Sequence, residues 1–105
     1  MIVAVSISPS GAPRGGVESP DGGVSAPVAE AIRVIRDSGL PTETIAMFTN
    51  IEGEWDEVMA VVKRAVDVVA ASYPRVGLVL KADIRPGYDG QLRAKVDRVE
   101  EHLGG

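Results

Sequence analysis

Residues 42–72 read TETIAMFTNIEGEWDEVMAVVKRAVDVVAAS, and two hydrophobic periods meet inside this stretch. From Thr42 to Phe48, β-branched and apolar residues dominate, the composition of a strand. Asn50 to Gly53 reads as a short return strand, closing a tight hairpin through Thr49-Asn50. From Glu54 to Ser72 the period changes. Trp55, Val58, Met59, Val62, Ala65, Val66 and Val69 recur at the spacing of a helix with one apolar face. Glu54, Asp56 and Glu57 crowd its first turn, where negative charge meets the positive end of the helix dipole. Trp55 opens the apolar stripe and is expected to anchor a core or an interface. Lys63 and Asp67 form an i,i+4 pair on the solvent side.

Working outward, Ile2 to Ser8 alternates, with Val3, Val5 and Ile7 on one face, and reads as a first strand. Residues 9–24 are crowded with Gly and Pro and predict a flexible loop. Their glycines fit neither the G-x-G-x-x-G nor the Walker spacing, so a phosphate-cradling role has no motif behind it. Ser25 is a candidate N-cap, and Pro27 suits a first helical turn. Val28, Ala31, Ile32 and Ile35 then recur at helical spacing until Gly39, placed for a left-handed C-terminal stop, and Pro41. After Pro74, Val76, Leu78, Leu80, Ala82 and Ile84 alternate with Gly77, Val79, Lys81, Asp83 and Arg85 in a last strand that Pro86-Gly87 ends. Leu92, Val96, Val99 and Leu103 mark a C-terminal amphipathic helix with Asp89 as its candidate N-cap.

The resulting order is β-α-β-β-α-β-α. Its natural packing is an α+β sandwich: two split β-α-β halves in one antiparallel sheet, helices on one face, and an extra C-terminal helix. The 105 residues are read as a single domain spanning 1–105. A chain of this size buries roughly 60–70% of its unfolded surface. The other face of the sheet, with Val79 among Lys81, Asp83 and Arg85, is partly apolar and predicts self-association into a homo-oligomer.

Composition narrows the function. There is no cysteine, which excludes disulfides, thiolate metal sites and cysteine nucleophiles, and one histidine, His102, cannot build a multi-histidine metal site. A net charge of −4 argues against nucleic acid or an anionic membrane as partner. The N-terminal residues lack the basic and long apolar regions of a secretory signal, and a cytoplasmic location is expected. No catalytic motif is present, and the carboxylates at Glu52, Glu54, Asp56 and Glu57 are accounted for by a helix start. The chain is therefore read as no enzyme, with no metal and no resident cofactor.

Binding residues are sought at the hairpin and the last strand. Thr49 and Asn50 donate and accept hydrogen bonds, and Met47 and Phe48 add polarizable apolar surface. Lys81, Asp83 and Arg85 place three charges on one strand face, as a binding element or an ion-pair row.

The segment Met47-Phe-Thr-Asn-Ile-Glu-Gly-Glu-Trp-Asp-Glu-Val58 resembles the central segment of the thiamine-binding (YkoF-like) family, in which a threonine precedes an Ile-Glu-Gly turn into the second helix. Ile2-Val-Ala with Ser6, the helix Val28 to Leu40, the strand Arg75 to Arg85 and the closing Lys95 to Glu100 are similar in order, leaving out residues 9–24. The resemblance implies a ferredoxin-like subunit assembled into dimers and tetramers. It also implies non-catalytic binding of thiamine or its hydroxymethylpyrimidine half, with Met47, Phe48, Thr49 and Asn50 holding an aminopyrimidine. A cationic thiazolium would favour Glu52 or Asp83, and Lys81 completes the expected ligand-binding set. The alternative is a self-assembling structural or regulatory module without a small-molecule ligand. An enzyme of thiamine metabolism, acting through Glu52 or Asp83, is a third reading.

Overall fold

The computed structural model describes residues 1–12, 25–87 and 90–104. Strands β1 (Ile2–Ser10), β2 (Thr42–Thr44), β3 (Thr49–Glu52) and β4 (Arg75–Asp83) alternate with helices α1 (Ser25–Arg36), α2 (Trp55–Ala70) and α3 (Gln91–His102) in the order β1-α1-β2-β3-α2-β4-α3. The strands form one sheet, ordered β2-β3-β1-β4, with every neighbouring pair antiparallel. Each β-α-β unit is thus split by a strand from the other, the ferredoxin-like arrangement expected from the element order.

Strand alternation sorts the side chains. Val3 pairs with Ile51 and Ala82, and Val5 with Thr49 and Leu80, so these rows share the helix-facing side. There Val3, Val5, Ile7 and Ile51 meet Ala31 and Ile35 of α1 and Val58, Val61, Val62, Ala65 and Val69 of α2. Of the α2 stripe foretold by periodicity, Val58, Val62, Ala65 and Val69 enter the core and Val66 packs against it, with Val61 added. The opposite rows, Ile2 with Glu52 and Asp83, Ala4 with Asn50 and Lys81, and Ser6 with Val79, form the other face.

Helix ends follow local chemistry. Glu54 N donates to the Glu57 carboxylate at 3.3 Å at the start of α2. At the end of α1, Ser38 Oγ donates to the Ile35 carbonyl at 2.6 Å, and Gly39 takes a left-handed φ of 84°. The exposed Lys63–Asp67 pair forms at 2.8 Å.

Two expected boundaries are corrected. Strand β1 runs on to Ser10 instead of giving way to a loop at Pro9. Beyond Val5 it pairs with β4 alone, so the N–H that Pro9 lacks is not needed on the open side. The hairpin does not turn at Thr49-Asn50. Strand β2 stops at Thr44, and Ile45 N donates to the Phe48 carbonyl at 2.9 Å, which puts the turn at Ile45–Phe48 and Thr49 and Asn50 inside β3. Of the two roles expected for Trp55, core or interface anchor, its 54% exposure rules out only the core. As the first residue of α2 its side chain leans toward the N-terminus, past the end of the sheet, beside Met1, Ile84 and Pro86. In β4, Val76, Leu78, Leu80 and Ala82 share the helix-facing side as expected, but only Val76 and Leu80 are partly buried against the core, because β4 is the sheet's edge. The remainder of the predicted 9–24 loop, from residue 13, and the candidate cap Asp89 lie outside the described residues.

Candidate functional site

A cavity of about 90 Å³ lies between α1 and the β2–β3 hairpin, open to solvent near Met47. Its floor is Val5, Ile7 and Thr49 of the sheet, its back wall Val28, Ala31, Ile32 and Ile35 of α1, and its rim the Ile45–Phe48 turn with Thr44. The sequence builds it simply. The helical spacing of Val28 to Ile35 faces the sheet, but the turn lifts Met47 to 77% exposure, leaving a gap the core does not fill. None of the described residues lining it is ionisable. The cavity is therefore an apolar slot with a few hydroxyls, suited to a flat, uncharged ring.

One hydroxyl stands out. Thr44 Oγ1 is shut off from solvent and has no hydrogen-bond partner among the described residues. Such a group costs about 1–3 kcal/mol when left unsatisfied.

The residues nominated from sequence separate into two groups. Met47, Phe48 and Thr49 are brought together at this cavity, with Thr49 buried and Phe48 half-buried. Asn50, Glu52, Lys81 and Asp83 lie on the other side of the sheet, because β3 and β4 alternate. There Glu52 has a structural role: its carboxylate accepts from Gln91 N at 2.7 Å and Leu92 N at 3.4 Å, capping α3 from 39 residues away. Asp83 pairs with Lys95 of the same helix. The crevice between them, lined also by Met1, Ile2 and Arg85, measures about 10 Å³, at most one water's worth of room. Sequence reading missed Thr44. Its signal was available, since a turn at Ile45–Phe48 sets Thr44 directly opposite Thr49.

The fold and the slot define a class: ferredoxin-like chains presenting a small apolar pocket with hydroxyl groups and no ionisable group in its described lining. Over residues 3–100 the sequence matches the family described as thiamine-binding protein, and the chain belongs to that family. It is 52% identical over 104 residues to a UPF0045 protein of Mycobacterium bovis, covering 98% of this chain and 94% of that one. A crystal structure of a hypothetical protein from Methanocaldococcus jannaschii superposes with a TM-score of 0.78 at 32% identity, covering 95% of each chain. A crystal structure from Thermotoga maritima, described as a candidate thiamine biosynthesis/salvage protein, shares the fold with a TM-score of 0.75 at 24% identity, covering 93% of this chain and 96% of that one. Among the described residues, no helix is long and apolar enough to cross a membrane.

Proposed function

We propose that this chain binds thiamine through its pyrimidine half, or hydroxymethylpyrimidine itself, in the slot between α1 and the β2–β3 hairpin, without transforming it. The observation that carries the reading is the slot itself, with Phe48 and Met47 at its rim and Thr49 at its floor, in a member of a family described as thiamine-binding. An aminopyrimidine is flat, largely apolar on its faces and ringed by a few donors and acceptors, which matches such a lining. The described lining offers no carboxylate, imidazole or amine to move a proton, which favours binding over catalysis. This reading assigns the pyrimidine to Met47, Phe48 and Thr49, and leaves Asn50, Glu52, Lys81 and Asp83 to the opposite face. A cytoplasmic location, as expected from the sequence, is part of this reading.

Thermal melts test the proposal. Hydroxymethylpyrimidine or thiamine at about 100 times its Kd adds roughly 2.7 kcal/mol, raising Tm by on the order of 10 °C. No shift with either compound removes the binding function and leaves the self-assembling module.

Assembly is the second part of the proposal: the chain works as a homo-oligomer. Strand β4 is a nine-residue edge, and Val79, 59% exposed, faces the side of the sheet opposite α1 and α2. A long edge with exposed apolar residues favours pairing with another copy. Wild-type protein is expected to sediment at a multiple of 11.0 kDa and the Val79→Lys variant as a monomer. A wild-type mass of one chain disposes of the assembly.

A further inference from the structure

Given the assembly proposed above, on which this inference rests, β4 itself specifies how two copies meet. Pro9 has no N–H and stands opposite Val76, so that pair is not a hydrogen-bonded one. Bonded and non-bonded pairs alternate along an antiparallel ladder. Val76, Leu78, Leu80 and Ala82 therefore turn their N–H and C=O groups outward, to the open edge of the sheet. Arg75, Gly77, Val79, Lys81 and Asp83 lie on the face opposite α1 and α2. Along this edge Leu78 is 45% and Val79 59% exposed. Two opposite charges bracket the strand. Arg75 at its start makes no ion pair among the described residues, and Asp83 at its end has one carboxylate oxygen engaged by Lys95.

A second copy related by a twofold axis normal to the sheet meets this edge antiparallel and keeps every side chain on its own face. Centred on Val79, the pairing runs the full nine residues and sets Val79 against Val79. It also puts Arg75 of each copy opposite Asp83 of the other, a favourable cross-strand pair made twice. Neighbouring registers are worse. Centred on Leu78, Arg75 faces Lys81 and like charges repel; centred on Leu80, Val79 faces Lys81 and Asp83 faces Gly77. Larger shifts leave more of the edge unpaired.

We infer that β4 pairs with β4 of a second copy, antiparallel and centred on Val79, with Arg75 of each copy against Asp83 of the other. Two four-stranded sheets then become one continuous sheet. The slots, beside the β2–β3 hairpins at the far edges, stay open on the side the helices share.

The chain has no cysteine, so single introduced thiols report the register. Val79→Cys puts two thiols on the axis, in a non-bonded pair with Cα atoms about 4.5 Å apart, within disulfide reach. Gly77→Cys and Lys81→Cys each leave their thiols ~13 Å apart along the strands, too far to close. Under mild oxidation Val79→Cys is expected to form a linked pair of twice the 11.0 kDa chain mass. The other two variants link only when mixed with each other. Arg75→Glu, which sets a carboxylate against Asp83 of the other copy, is expected to weaken the pair about tenfold. Linkage of Gly77→Cys or Lys81→Cys alone, no linkage of Val79→Cys, or an unchanged dissociation constant for Arg75→Glu overturns this register. The assembly still stands if wild type sediments as a multiple of one chain. A wild type with the mass of one chain removes the assembly and the register with it.

Discussion

Ile51→Ala is expected to lower stability by about 2–5 kcal/mol. Ile51 is 0% exposed and pairs with Val3 in the middle of the sheet, within the core formed with α1 and α2. Shortening it removes buried methyl groups and leaves a cavity, because close-packed neighbours relax only partly. A fold of this size has roughly 5–15 kcal/mol in total, so the variant sits near the edge of folding. Urea denaturation provides the check, with a lower midpoint at unchanged slope. A loss below about 0.5 kcal/mol, the range of surface substitutions, contradicts the packing described for β3.

Glu52→Ala is expected to release α3. None of the residues of this helix is buried; Glu52 holds two of its N–H groups and Asp83 pairs with its Lys95. Half-exposed ion pairs contribute about 1 kcal/mol or less, so the cap outweighs the Lys95–Asp83 pair. Hydrogen bonds to a charged acceptor contribute about 1.5–3 kcal/mol, and N-cap losses typically about 1 kcal/mol. Hydrogen exchange across residues 94–102 is therefore expected to speed up at least tenfold, the equivalent of about 1.4 kcal/mol, while the strands stay protected. Glu52→Gln, which retains one acceptor oxygen, shows an intermediate rate. Ligand affinity at the slot is unchanged, since Glu52 faces the other side of the sheet. Reduced ligand binding with α3 still protected would reverse this assignment and make Glu52 a contact.

The architecture was legible in the chain because its signals are local and repeated. The α2 stripe, the alternation around Val3 and Val5 and the stop at Gly39 each follow from one period or one backbone preference. The boundaries that slipped have definite causes. Ile45, Ala46 and Met47 look like strand by composition, yet they are exposed in a turn, where apolar content carries no period. Trp55 fits the helical stripe by spacing, but it lies past the end of the sheet, where Met1, Ile84 and Pro86 cover it only in part.

The candidate site was half legible. Met47, Phe48 and Thr49 were nominated and meet at the slot, whereas Asn50, adjacent to Thr49 in sequence, points the other way. Glu52 and Asp83 were suitable chemically, but long-range packing of α3 claims both carboxylates.

By itself the amino-acid order determined the seven elements, the antiparallel split arrangement and the family, since these depend on periodicity and punctuation along the chain. Only the tertiary structure decided which side of the sheet each polar residue faces, because a one-residue shift of the turn exchanges the two faces of a strand. It alone revealed the unmade hydrogen bond of Thr44, a property of what surrounds a side chain in space rather than of its neighbours in sequence.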